Sequence, residues 1–246
     1  MNLKKISFIF VPAALILFFV CQSPPVNNWE IKKGPQPKKI VFIGDSLTAG
    51  YGLKNLEESF PNQLATLLKL PMSRYGYSGF TSGNILKKLI KIKDEEPTLV
   101  ILTIGGNDIL KKVKLAGTEK NLENIFTQLQ ALKHTIVFTE VLSIFDSKRH
   151  KMHRRLCQKF KIALIPDIMA GMLNDNSVLQ DNDLIHPNVK GCGVIAKKIY
   201  DVLEELSLVN WSLFVSMLQK ESPTLSGESA PNYFYKKSLY TLESDY

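Results

Sequence analysis

Cysteine is scarce in this sequence, and its spacing is wrong for the work that clustered cysteines do. Cys21, Cys157 and Cys192 are the only three. They are odd in number, with no paired spacing of the kind a zinc site or a dithiol redox motif uses. Cys157 and Cys192 could be bridged only if the fold brought their Cα atoms within disulfide range; isolated buried thiols are the expectation otherwise. Arginine-rich runs are missing, as is any recognisable nucleic-acid motif, although lysine and arginine outnumber the acids 31 to 23 and leave a formal charge of +8. No nucleic-acid partner is therefore expected. The excess is spread as lysine pairs such as Lys32-Lys33, Lys87-Lys88, Lys111-Lys112 and Lys197-Lys198. That predicts a solvated basic surface, with attraction to an anionic membrane surface as the second reading. No internal repeat is present. There are four histidines, and only His186 stands in a motif-like loop. His150 and His153 share a helical face, but no carboxylate or cysteine completes an obvious metal site with them, so a solvated basic face is expected. His134 opens a strand and is given no chemistry.

The apolar run at residues 6–20 follows Lys4 and Lys5 and ends at Cys21. It is shorter than the ~20 residues a bilayer span needs and has the size of a signal-peptide core. Pro12 in its middle disfavours a stable uncleaved anchor helix. Residues 1–21 are therefore expected to direct export. Cys21 at the end of the run resembles the lipidated cysteine of bacterial lipoprotein signals, with Phe18-Phe19-Val20 where those signals carry leucine and small residues. An address in the bacterial envelope follows, periplasmic or membrane-anchored through a lipid on Cys21. Residues 22–37, with Pro24, Pro25, Gly34, Pro35 and Pro37, read as a linker.

With 246 residues, 45% of them hydrophobic, the chain can build one sizeable α/β domain with extensions. Strand-like runs at 40–44, 72–77, 98–104, 134–139 and 162–165 alternate with helical patterns at 60–70, 84–92, 118–132, 148–159 and 189–206. Ser59 and Pro61 suit the start of the first helix and Pro71 its close. In the last, Val194, Ile195, Ile199, Val202 and Leu203 are expected to face inward. This alternation predicts an α/β three-layer sandwich, a central, mostly parallel five-stranded sheet between helices, over residues 38–206. Residues 207–246 read as a C-terminal extension, partly disordered.

Three motifs end up on one edge of such a sheet: Gly44-Asp45-Ser46-Leu47 after the first strand, Gly105-Gly106-Asn107-Asp108 after the third, and Asp183-Leu184-Ile185-His186-Pro187 before the last helix. A serine hydroxyl is a poor nucleophile until a base removes its proton. His186 can be that base for Ser46, and Asp183, three residues earlier, can hold the far nitrogen of its ring. Asp45 and Asp108 are expected to brace turns.

With the Ser78-Gly79 loop, these motifs resemble in order and spacing the SGNH (GDSL-type) hydrolases. The string Gly44-Asp45-Ser46-Leu47-Thr48-Ala49-Gly50-Tyr51-Gly52 is similar to the branch of secreted bacterial thioesterase, lysophospholipase and arylesterase enzymes. The resemblance implies a flavodoxin-like fold and a Ser46, Asp183, His186 triad. It further implies an oxyanion hole made by the backbone N–H groups of Ser46 and Gly79 and the side-chain amide of Asn107. No metal or organic cofactor is required. The activity it implies is hydrolysis of an acyl ester, whether lysophospholipid, short-chain ester or thioester. The alternatives are removal of O-acetyl groups from envelope glycans, and a non-catalytic surface lipoprotein on the same fold. Tyr51, Tyr75, Tyr77 and Phe80 are read either as an acyl pocket or as core. Phe80, where this branch usually has a polar residue, is expected to narrow or grease the pocket mouth.

Overall fold

Three of the strands are apolar at nearly every position, which suits burial on both faces of a parallel sheet rather than the alternation of a one-sided one. The computed structural model describes residues 27–89, 98–141, 146–173 and 175–209. In it the strands are β1 (Ile40–Gly44), β2 (Met72–Gly76), β3 (Leu99–Thr103), β4 (Thr135–Thr139) and β5 (Ala163–Ile165). They form one wholly parallel sheet in the order β2-β1-β3-β4-β5. Every residue of β1, β3 and β4 is buried, whereas the outer strand β2 is half-buried throughout.

The helices are α1 (Ser46–Ala49), α2 (Phe60–Leu68), α3 (Ser82–Lys88), α4 (Gly106–Leu110), α5 (Leu115–Ala131), α6 (Ser147–Phe160) and α7 (Val189–Glu205). Alternate residues of each strand serve opposite faces, so the sheet has two cores. Ile40, Phe42, Leu99, Ile101 and Val137 pack with α2 and α7 through Leu64, Ile195 and Ile199. Val41, Ile43, Val100, Leu102 and Phe138 pack with α3, α5 and α6 through Ile85, Phe126 and Leu156. Each fully buried side chain of this size contributes about 1.5–3 kcal/mol, which outweighs the helix propensity of any one residue.

The sheet order places the site. The chain goes outward from β1 to β2, then returns across β1 to β3 and continues the other way. Right-handed crossovers put the helices of those two halves on opposite faces, leaving a crevice at the carboxyl ends of β1 and β3. Gly44 lies level with Gly76 on one side and Thr103 on the other, so the segments leaving these strands start at one height.

Several local expectations are corrected. Ser59 sits at the start of α2 but its hydroxyl bonds the Leu56 carbonyl instead of capping the helix. Lys69, with φ 50°, ends α2 before Pro71 is reached. In α7 the inward stripe is Cys192, Ile195, Ala196, Ile199 and Leu203, while Val194 is exposed. Cys157 and Cys192 are separate buried thiols, and burial pushes the Cys192 thiol up to about 11. Residues 27–37, read from the sequence as part of a linker, are tied to the domain. The Asn27 side-chain amide donates to the Leu164 carbonyl at 3.0 Å and accepts from its N–H at 2.8 Å. Trp29 Nε1 donates to the Ile162 carbonyl at 3.0 Å, and the Lys32 N–H to the Lys161 carbonyl at 2.7 Å. The expected export signal at residues 1–21, Cys21 and the part of the expected C-terminal extension beyond 209 lie outside the described residues.

Candidate active site

The nucleophile candidate owes its place to two close approaches. β1 stops at Gly44 and the short α1 begins at once, with the Asp45 side chain accepting from the Leu47 N–H at 3.1 Å to cap it. A Cβ added at Gly44 would collide with the Thr48 side chain and the Thr103 carbonyl, and one added at Gly76 with the backbone of Thr48 and Ala49. Glycine at both positions lets α1 lie across the strand ends and presents Ser46 at the sheet edge.

The loop between residues 175 and 188 brings the other two groups. Its ends are held by a bridge between Leu179 and Pro187, and Asn188 caps α7 through the Gly191 N–H at 3.0 Å. Asp183 Oδ1 accepts from the N–H groups of Ile185 at 2.8 Å and His186 at 2.9 Å, which fixes the turn. Its Oδ2 then meets His186 Nδ1 at 2.7 Å, and His186 Nε2 lies 2.9 Å from Ser46 Oγ. An ionised carboxylate only accepts, so Nδ1 carries the proton and Nε2 is left to accept from the serine hydroxyl. Gln180, which sequence reasoning missed, ties the two halves together: its Nε2 donates to the Tyr51 carbonyl at 2.6 Å and the Pro187 carbonyl at 3.1 Å. The Tyr51 ring packs on the His186 imidazole with centroids 4.6 Å apart.

Gly79 and Asn107 border the same cleft of about 240 Å³. Gly79 holds φ 76°, a conformation that costs other residues strain, and its carbonyl accepts from Lys111 Nζ at 2.6 Å. Asn107 rides on α4, whose buried Asp108 accepts from the Ser82 N–H at 2.7 Å, the Ser82 hydroxyl at 2.6 Å and the Thr118 hydroxyl at 2.9 Å. Asp108 thus locks α4 to the starts of α3 and α5. Asn107 Nδ2 donates to Asp45 Oδ2 at 3.3 Å, which aims the amide while leaving its second N–H for the cleft. The apolar walls are Leu47, Tyr51, Leu110, Val141 and Ile185.

The two acids of the site are tuned in opposite directions. Burial pulls the Asp183 carboxyl upward, but the backbone N–H groups of His186 and Ile185 and the His186 ring outweigh it and hold it below the ordinary aspartate value. For Asp45 burial wins over the bonds from Leu47 and Asn107, and the carboxyl is pushed up to about 7. A folded protein that holds this proton more tightly than the unfolded chain loses stability as pH rises from about 4, where an unfolded aspartate ionises, to about 7. Asn is as good a cap as Asp. The Tm of Asp45→Asn relative to the parent is therefore expected to climb by several degrees between pH 4.5 and 7.5. Thermal melts at both pH values check this; a constant difference contradicts it.

Two expectations do not survive. Of the four aromatics near the motifs only Tyr51 lines the cleft; Phe80 instead stacks on Tyr77 at 4.9 Å, and both pack with Tyr75 against the core. Phe80 therefore neither narrows nor greases the mouth. His150 and His153 are not a solvated basic face, because both rings bond the buried Glu140 carboxylate at 2.8 Å. Glu140 comes immediately after β4, and only the tertiary fold shows that it meets them.

Comparison with known proteins identifies the family and the fold. "Thioesterase 1/protease 1/lysophospholipase L1" of Escherichia coli K12 is 27% identical over 158 residues, covering 61% of this chain and 75% of that protein. The crystal structure of the psychrotrophic esterase EstA from a Pseudoalteromonas species superposes with a TM-score of 0.61 at 24% identity, over 68% of this chain and 97% of that one. A Clostridium thermocellum family 3 carbohydrate esterase gives 0.55 at 22%, over 69% and 96%; at such identities the likeness is one of fold. The sequence model of the GDSL-like Lipase/Acylhydrolase family matches residues 42–193, a span that takes in every residue of the cleft, and the chain belongs to this family of ester-hydrolysing enzymes.

Proposed function

We propose that this protein is a serine esterase that cleaves acyl esters through a covalent acyl-Ser46 intermediate. The observation that carries the reading is the continuous chain from Asp183 through His186 to Ser46, at 2.7 and 2.9 Å. Ser46 Oγ attacks the ester carbonyl carbon while its proton passes to His186 Nε2, and Asp183 stabilises the imidazolium that forms. The oxyanion is held by the N–H groups of Ser46 and Gly79 and by Asn107 Nδ2, aimed by Asp45. Collapse expels the alcohol or thiol, which takes the proton from His186. Water then enters by the same route in reverse, giving the acid and free Ser46.

The substrate we infer has an aliphatic acyl chain: a lysophospholipid, a short-chain ester or a thioester. Support comes from the apolar cleft walls and from large exposed apolar residues beside them. Leu110 and Tyr51 on the cleft are 55% and 54% exposed, and Leu184, between Asp183 and His186, is 71% exposed. The signal-like residues 1–21 support export to a bacterial envelope, with a lipid on Cys21 or release into the periplasm.

The second reading, deacetylation of envelope glycans, draws on the carbohydrate esterase neighbour. A series of p-nitrophenyl esters from acetyl to dodecanoyl, with lysophosphatidylcholine alongside, separates the two. Activity that rises or holds to octanoyl is expected, whereas activity confined to acetyl would favour the glycan. Failure of a fluorophosphonate to label Ser46 in folded protein would sink both readings and leave a binding scaffold.

A further inference from the structure

A second carboxylate–imidazole assembly lies behind the oxyanion segment and takes no part in the steps above. Glu140 follows β4 directly and has no exposed surface. Its backbone is pinned, the N–H donating to the Ile165 carbonyl and its own carbonyl accepting from the Ile168 N–H, both at 2.9 Å. An isolated buried carboxylate is costly. Here both oxygens are taken, Oε2 by His150 Nδ1 and Oε1 by His153 Nδ1, each at 2.8 Å.

The two imidazoles are placed differently. His150 reaches the surface, while His153 is 2% exposed and its Nε2 is buried with no partner among the described residues. The His153 ring stands edge-on to Phe138 at 5.0 Å. Its far edge faces Gly105, where a Cβ would lie 3.7 Å from Cε1 and 4.0 Å from Nε2. Gly105, with φ 118°, caps the helix that carries Asn107. On the other side, Val141 continues from Glu140 into the cleft wall. A hydrophobic side chain would fill the space below Gly105 without any hydrogen bond. What the histidine adds is a rotation fixed by Glu140.

We propose that Glu140 and His153 are positioning residues for the oxyanion hole. The carboxylate sets the angle of the imidazole, and the imidazole is the floor under Gly105-Gly106-Asn107. The proposal rests on the reading of Asn107 as an oxyanion donor. Asn107 acts in the transition state alone, so a floor that slips is expected to lower kcat while leaving KM nearly unchanged. Displacing a reacting group by an ångström can cost up to about 100-fold.

The test is a mutant cycle on a p-nitrophenyl ester. His153→Phe keeps the ring volume and the contact with Phe138 but loses the bond to Glu140; Glu140→Gln is the shape-conserving partner should that variant fail to fold. Either is expected to lower kcat by about 10- to 100-fold, with KM within twofold. In an Asn107→Ala background the same change is expected to cost little more, because both act on one interaction. Losses that multiply in the double variant, or a rise in KM at unchanged kcat, would overturn the proposal while leaving the oxyanion assignment standing. An Asn107→Ala enzyme with unchanged kcat would overturn that assignment and the proposal with it.

Discussion

Ser46→Ala is expected to lower kcat on a p-nitrophenyl acyl ester by about 10⁶-fold, the scale seen when a nucleophile is removed from a unit that works only whole. The loss is in chemistry and not in folding. Among the described residues the Ser46 hydroxyl has one side-chain partner, His186 Nε2 at 2.9 Å, and α1 is held by Asp45 and by the strand ends beneath it. A small rate above water should persist, because the proposed Gly79 and Asn107 donors remain in place. Initial rates, with circular dichroism to show an intact fold, check the expectation. Retention of a tenth of the parent activity would remove Ser46 from the mechanism.

Asp183→Asn is expected to cost about 10⁴-fold in kcat, with a modest drop in Tm at neutral pH. The asparagine Oδ1 can keep the bonds from the Ile185 and His186 N–H groups, so the turn survives. Its Nδ2 would then face His186 Nδ1 as a donor, and the ring would answer by moving its proton to Nε2. The base would present an N–H to Ser46 where a lone pair is needed. In the parent, hydrogen bonding keeps the Asp183 carboxyl below its ordinary value despite burial. Its contribution to stability is therefore full above about pH 4 and is lost only as pH falls through the lowered value. Steady-state kinetics with a thermal melt of each protein settle the matter; a loss below tenfold would show that Asp183 does not set the tautomer.

The parts of this enzyme that could be read from sequence are those whose cause is local. β1 and β3 stand out because an uninterrupted apolar run suits a sheet covered on both faces. Asp183 and His186 are three residues apart, so one turn brings them together and the spacing alone suggests the pairing. Ser46 and His186 needed more, since their contact exists only because β1 and the loop before α7 share a sheet edge. Helix ends were less legible: Lys69 stops α2 by a backbone conformation that no residue type announces, with Pro71 nearby as a more obvious signal. The Glu140 assembly was illegible because its histidines and its carboxylate come from different elements. Phe80 misled for the same reason, as adjacency to Gly79 says nothing about which way the ring turns.

The staple at Asn27 has a consequence for how this molecule behaves among its own copies. β5 is the outermost strand on its flank, and a bare edge offers its peptide groups to any strand that passes. Here one asparagine amide occupies both bonding positions of Leu164, acting as a single peptide unit where the described residues supply no further strand. Trp29 and Lys32 occupy the carbonyls that precede it. The flank is thereby closed to edge-to-edge aggregation, and the short stretch that closes it stands guard over solubility while the chemistry goes on at the far end of the strands.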